Sequence, residues 1–398
     1  MKLAFTYGLS RLLVTYSLIT GNLAAAKKAT QLTPGDAESH LAAAAVLSSA
    51  GSPNQCVVEL EQAVALRPAD YGLWSQLGLS RDQTGDTAGA LKAFDEAIKR
   101  APYYSQPYWN RGNALLRSGQ YEAAFNDLNQ AAQSNPELVP SLLDLAWGLS
   151  RGDVKLTEQL TQIKTDKTRL IFAKLLARQG RANDAVAQFG GVANVPEAIK
   201  QELIDQLLAK GAFREAFDVW KTTSGLKNDN APGSPAIYDG GFEGSLALGE
   251  GGFGWRVPRD LQAMSVSLDS SQPHSGSQSI RIEFGGNSNP GSLVISQLLL
   301  AESGGRYRIN FAARSQDIVT GGLPLLVVSD ATGDLKRLGQ SSPLAKGTST
   351  WQPFSFEFTT SPTTTAVVLS LQRENCTTSP CPIFGSVSLD SFSVQRLR

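Results

Sequence analysis

The chain has 398 residues, with Lys plus Arg equal to Asp plus Glu at 36 each, two histidines and three cysteines. A length of this order exceeds one ordinary core, so about two or three domains are expected. Zero formal net charge, without a basic run interleaved with aromatics, argues against nucleic-acid binding, and two histidines leave little material for a His-cluster metal site or a His relay.

Residues 1–36 support more than one reading. Lys2 and Arg11, an apolar stretch from Leu12 to Ile19 and the run Ala24–Ala26 suit a secretory signal. The stretch is too interrupted and short for a clear transmembrane helix, although membrane association at the N-terminus stays open. Alternatively, "GNLAAAKKATQLTP" is in register as the second helix of a degenerate first repeat.

That register comes from Pro34, Pro68, Pro102 and Pro136, each 34 residues after the last. Ala29, Ala63, Ala97 and Ala131 precede them by five, and Gly51, Gly85 and Gly119 keep the same step. A fixed period of this size marks stacked supersecondary units. Each unit reads as two helices around a Gly turn. Alanine stands where the helices cross, and proline ends the second helix. Past Pro136 the strict period fades, but helix–turn–helix patterns with Gly180 and Gly211 at the turns extend the array to about Ser224.

These positions resemble the tetratricopeptide repeat (TPR) family. Trp74, Leu77, Gly78, Ala90, Phe94, Ala97 and Pro102 carry the likeness in one unit; Tyr108, Gly112, Leu115, Ala124, Leu128, Ala131 and Pro136 carry it in the next. In the weaker unit from Ala37 to Asp70, His40 falls at a helix-packing position and Cys56 at a buried one. The resemblance implies an α-helical solenoid over 37–224 whose groove binds a protein partner. In the unit that starts at Ser105, the groove side would carry Gln106, Trp109, Asn113 and Leu116, and no basic clamp names the partner.

Residues 225–235 fall in a Gly/Pro/Asn/Asp-rich stretch and read as a linker. Beyond it, over 236–398, the apolar spacing becomes two: Ile280, Ile282, Phe284; Tyr307, Ile309, Phe311, Ala313; Phe354, Phe356, Phe358; Val367, Leu369, Leu371. Such segments are half-buried antiparallel strands, and several together make a β-sandwich. Val387 and Leu389 are out of phase with Phe392 and Val394, which predicts a β-bulge near Asp390–Ser391. The expected fold class is therefore multidomain, all-α plus all-β. Cys376 and Cys381 bracket the loop "CTTSPC"; a local disulfide there would indicate an oxidising compartment, and two unpaired thiols are the alternative.

"DGGFE", "HSGSQSIRIEF", "GGRYRINFAARS" and "SLDSFSV" are similar, in order and spacing, to the jelly-roll carbohydrate-binding modules of bacterial xylanases and cellulases. The resemblance implies polysaccharide binding and one structural Ca2+ held by Glu243 and Asp390, with main-chain carbonyls near Ser275–Ser277 as further oxygens. Sugar recognition uses aromatic faces and planar polar groups, so the candidates are Trp255, Arg256, Phe253, Arg314, Gln372 and Arg373. Trp255 is read as a stacking residue on a Gly-rich loop, Trp351 as core.

The combined expectation is a non-enzymatic extracytoplasmic adaptor, periplasmic or membrane-anchored, with repeats on a protein and sandwich on a polysaccharide, in exopolysaccharide or envelope assembly. Two alternatives stay open. One is a glycan-active enzyme drawing two carboxylates from Glu243, Glu250, Asp260, Glu283, Asp317 and a few others, among which no motif singles out a pair. The other is a purely protein-binding scaffold.

Overall fold

The computed structural model describes residues 2–222, 236–244, 246–248, 252–259, 261, 263–287, 293–376 and 380–397. The segment read as a linker, 225–235, lies outside them, as do Glu250 and Asp260. The order is helices first, then antiparallel strands, as expected. The chain divides into two compact units, Met1–Ile171 and Phe172–Arg398.

The first unit is a run of helical hairpins: α1 (Lys2–Thr20) with α2 (Leu23–Leu32), α3 (Ala37–Ser49) with α4 (Pro53–Leu66), α5 (Tyr71–Gln83) with α6 (Thr87–Arg100), and α7 (Ser105–Arg117) with α8 (Tyr121–Ser134). A single 3-10 turn, Pro136–Leu138, leads into α9 (Val139–Leu149) and α10 (Val154–Thr161). The repeated residues have the physical roles their spacing implies. Ala63, Ala90, Ala97, Ala124 and Ala131 are fully buried. A Cβ on Gly78 would lie 2.5 Å from Phe94, and one on Gly112 2.8 Å from Leu128. Only glycine therefore lets the second helix of each hairpin bring a bulky apolar residue against the first. Aspartates cap the starts: Asp70 Oδ1 accepts from Gly72 N at 2.9 Å, and Asp86 Oδ1 from Gly89 N at 2.9 Å. His40 is buried and bonded through both ring nitrogens, to Glu59 Oε2 at 2.7 Å and to the Pro34 carbonyl at 3.1 Å.

Residues 2–32 form a hairpin of the same kind. Ser10, fully buried, bonds to the Ala29 carbonyl, Thr33 and Ser39. Phe5, Leu12 and Ile19 of α1 are exposed. Among the described residues no helix is long and apolar enough to cross a membrane.

Helix α11 (Asp166–Arg178) runs across the division between units. The second unit then has α12 (Ala182–Gly190), α13 (Glu197–Ala209) and α14 (Phe213–Lys221), followed by a β-sandwich. Its strands are β1 (Ala247–Leu248), β2 (Arg256–Val257), β3 (Met264–Asp269), β4 (Ser279–Asn287), β5 (Ser296–Leu300), β6 (Arg306–Thr320), β7 (Pro324–Asp330), β8 (Arg337–Gln340), β9 (Gln352–Thr359), β10 (Ala366–Arg373) and β11 (Pro382–Leu397). One sheet has the order β1-β2-β5-β10-β7-β8, the other β3-β4-β11-β6-β9. Every described strand pairing is antiparallel except the short contact of β1 with β2.

The alternating apolar residues meet between the sheets: Ile280, Ile282, Tyr307, Ile309, Leu369 and Val387 are all fully buried. The register between β11 and β6 slips between Asp390 and Ser393, with Ser391 at φ 55°, which is the bulge the phase shift implied. The last helices and the sandwich belong to one compact unit because aromatic rings join them. Phe217 and Trp220 of α14 meet Tyr238 and Phe253 with ring centroids 5.0–5.8 Å apart.

Candidate functional site

Gln106, Trp109, Asn113 and Leu116 lie on α7 at spacings of three, four and three, which puts them on one face. Gln106 is exposed and the other three are half-buried. Asn113 is turned onto its own helix, donating to the Trp109 carbonyl at 2.8 Å. Behind this face, Arg111 forms a bidentate pair with buried Asp127, both bonds 2.7 Å, and reaches Asp95 at 2.5 Å. These bonds hold its guanidinium protonated well above the ordinary range and tie α6, α7 and α8 together.

In the sandwich, strand alternation redistributes the sugar-binding candidates. Trp255 is 5% exposed, donates Nε1–H to the Asp239 carbonyl at 2.9 Å and packs on Phe242 and Phe392. It is a core residue, which corrects its reading as a stacking platform: the Gly-rich loop folds the ring inward. Phe253 is fully buried against Phe217 and Trp220, so it too presents no free face. Arg373 and Gln372 are chain neighbours and therefore face opposite sides of β10. Arg373 points in, 5% exposed, and Gln372 points out.

Arg314 is also engaged elsewhere. It is on β6, in the other sheet, where it pairs with Asp269 at 3.3 Å and donates to Gln272 at 2.5 Å. Its guanidinium lies 5.2 Å from the ring centre of Trp351. Trp351 is half-buried, donates to the Gln272 carbonyl and has His274 5.5 Å away. It is not part of the core its strand position suggested, because it stands at the edge where β9 begins.

Arg373 has a structural task. Its Nη2 donates to Thr320 Oγ1 at 2.9 Å and to the Cys381 carbonyl at 3.0 Å, while Nε donates to the Gly322 carbonyl at 3.3 Å. Burial holds its guanidinium below the ordinary arginine range. Cys376 and Cys381 are disulfide-bonded with Cα atoms 5.8 Å apart. Arginine and disulfide together pin the point where the chain leaves β10 in one sheet and enters β11 in the other.

Glu243 and Asp390, distant in sequence, converge on the turn at 274–277. Asp390 is fully buried; its Oδ2 accepts from the main-chain N–H groups of His274 at 2.8 Å and Ser275 at 3.0 Å. Glu243 Oε1 accepts from Ser277 N at 2.9 Å, and the Ser277 hydroxyl also donates to its carboxylate. The Ser277 bonds hold the Glu243 carboxyl below the usual range. Oxygens of both carboxylates lie 3.9 Å from where a Cβ on Gly241 would stand, so glycine leaves a small cradle between them. Among the described residues no group of three or more Asp, Glu, His or Cys gathers as a metal cluster. The other carboxylates considered for glycan hydrolysis are engaged separately: Glu283 pairs with Arg281 at 3.0 Å, and Asp317 accepts from Thr348 at 3.0 Å.

One open site of the sandwich is a groove of about 920 Å³ on the outward face of the six-stranded sheet. Arg256, Ser296, Ser329, Arg337, Ser370 and Gln372 supply its polar lining, and Asp205 and Leu208 of α13 also line it. The sheet rows explain the convergence. Ser296 is opposite both Arg256 and Ser370, while Leu298, Val368, Ser329 and Arg337 form the next row. Of the six sugar candidates read from sequence, Arg256 and Gln372 meet here. Arg337 and the three serines were not singled out. The outward phase of β10 is legible from its alternation with Val367, Leu369 and Leu371, but the pairing that brings β8 beside β7 is not.

Residues 59–105 and 75–140 match the tetratricopeptide repeat family. TPR repeats are thus shown for the hairpins between residues 59 and 140. Protein FlbA of Caulobacter vibrioides is 34% identical over 101 residues, covering 25% of this chain and 17% of FlbA. Among solved structures, MamA is similar at 16% identity over 49% of this chain and 98% of that one, with a TM-score of 0.34. The pilF protein of Pseudomonas aeruginosa is similar at 18% identity over 47% and 90%, with a TM-score of 0.35.

Proposed function

We propose that this protein is a non-enzymatic, extracytoplasmic adaptor whose TPR repeats hold a protein partner while its β-sandwich binds a polysaccharide, in exopolysaccharide or cell-envelope assembly. The observation that carries the reading is the polar groove on the outward sheet face. A row of small hydroxyl side chains flanked by planar Gln372 and two guanidinium groups matches the hydrogen-bonding needs of sugar hydroxyls. Among the described lining residues none is aromatic, so recognition rests there on hydrogen bonds rather than ring stacking. On the TPR side, the exposed edge of α7 around Gln106 and Trp109 supports a peptide-binding groove. The disulfide supports an oxidising compartment. Thiol trapping of protein taken from its native compartment should find Cys376 and Cys381 blocked and Cys56 alone reactive after unfolding; free thiols at 376 and 381 would refute the location.

The direct test is a polysaccharide panel screened with the full chain. Retention on at least one glycan, weakened by Gln372→Ala, is expected. Binding to none would leave a protein scaffold. Calcium belongs to the same reading. Glu243 and Asp390 would hold it at the cradle beside Gly241, where a cation would cross-link the first and last parts of the sandwich. Since a ligand of the folded state alone raises stability, chelation should lower the melting temperature, and Glu243→Gln should abolish the response. An unchanged melt excludes a stabilising ion.

A further inference from the structure

Resting on the glycan reading above, we propose that the groove selects an anionic, carboxylate-bearing polysaccharide of the polyuronate class. The argument comes from how the sandwich spends its arginines. Arg281, Arg306, Arg308, Arg314 and Arg396 each pair with a carboxylate. Arg256 and Arg337 do not: among the described residues neither forms an ion pair. Arg337 donates only to amide oxygens, Gln340 Oε1 at 2.6 Å and Gln372 Oε1 at 3.5 Å. Both side chains are exposed, and both line the groove.

They stand at opposite ends of it. In the strand order β2-β5-β10-β7-β8 they are four steps apart, roughly 19 Å at about 4.8 Å per strand. Ser296, Ser370 and Ser329 lie between them. A chain laid across the strands would meet a guanidinium at each end and half-buried Ser296 between them, with Ser329 and Ser370 buried in the floor. Arginine forms two parallel, charge-assisted hydrogen bonds to a carboxylate, which are stronger than those it makes to neutral sugar hydroxyls. Asp205, the one acid among the described lining residues, is on the α13 wall and accepts from Gln201 Nε2 at 2.9 Å. A general polyanion effect is not the source, since the chain as a whole carries no net charge.

Affinity electrophoresis of the full chain through gels containing polygalacturonate or neutral dextran tests this. Retardation by polygalacturonate but not dextran is expected, shrinking with added salt. Arg256→Gln and Arg337→Gln should each weaken it about tenfold, the worth of one charge-assisted contact, and together abolish it. Arg306→Gln, on the other sheet, should leave it unchanged. Equal loss in Arg306→Gln would mean diffuse attraction and overturn the proposal. Dextran retention that ignores both groove variants would overturn charge selection while keeping the glycan reading. Loss in Trp351→Ala alone would move the site to the other sheet and likewise refute the groove. No retention on any gel or on the wider panel would remove both readings.

Discussion

Trp255 and Trp351 show how far one side chain's role depends on what stands opposite it. Trp255 is enclosed by Phe242 and Phe392 and bonded to the Asp239 carbonyl. Trp255→Ala should cost about 3–5 kcal/mol, as for a buried Trp, and denaturant titration should show the loss in the β-domain signal. A change under about 1 kcal/mol would mean the ring is dispensable to the core. Asp269 offers a pH test. The Ser271 hydroxyl at 2.6 Å, then the Ser271 N–H at 2.8 Å, then the charge of Arg314 hold its carboxyl below the usual range. A depressed folded-state value contributes stability above the unfolded value, lost as pH falls through the folded one. Stability should therefore drop as pH falls below about 4. Asp269→Asn should be less stable at neutral pH and lose less on acidification; parallel melting curves against pH would discard this linkage.

The hairpins turn two glycines to opposite ends. Gly112 faces Leu128 so closely that a Cβ would also be 3.1 Å from the Ala124 carbonyl. Gly112→Val should force α7 from α8 and cost about 1–3 kcal/mol through overpacking. Gly148, in α9, has nothing within 4 Å of its Cβ position. There only the helix propensity changes, and Gly148→Ala should stabilise by up to about 1 kcal/mol. Helical circular dichroism on heating reads both, and the same sign at both positions would contradict the packing account. Gly112 was legible in sequence as a letter repeated from Gly78. That it is a contact while Gly148 faces open space was not, because the repeat does not say what the facing helix places against each position.

The joining of the last helices to the sandwich is a property of the folded second unit. Trp220 sits 5.0 Å from Tyr238 and 5.7 Å from Phe253, ring to ring, and Gly252 passes so close that a Cβ there would stand 2.8 Å from it. α12–α14 and the strands should consequently melt together. Trp220→Ala should split that transition, the helical signal falling before the β signal; a single unchanged transition would show that the cluster does not couple them. Composition places the break after the helices, where Gly and Pro accumulate, since composition reports chain stiffness. Packing follows the aromatic side chains, which lie on both sides of that stretch.

Periodicity by itself determined the class of each half and the bulge in β11. A repeat of 34, or an alternation of two, is imposed by one segment's own backbone geometry, so a single strand or hairpin displays it. The same alternation puts Gln372 outward and Arg373 inward, although both were chosen as sugar-binding candidates by side-chain type. Tertiary structure alone decided which polar groups are free. Arg256, Arg314, Arg337 and Arg373 are the same residue type, yet one faces a carboxylate, one is buried against carbonyls and two look into an open groove. The difference comes from neighbours brought in from other strands: Asp269 at the end of β3, within reach of the Arg314 side chain, Cys381 at the sheet crossover, and β8 paired to β7. Sequence distance does not encode those adjacencies, because burial and ion pairing are set by whichever segment the topology lays alongside.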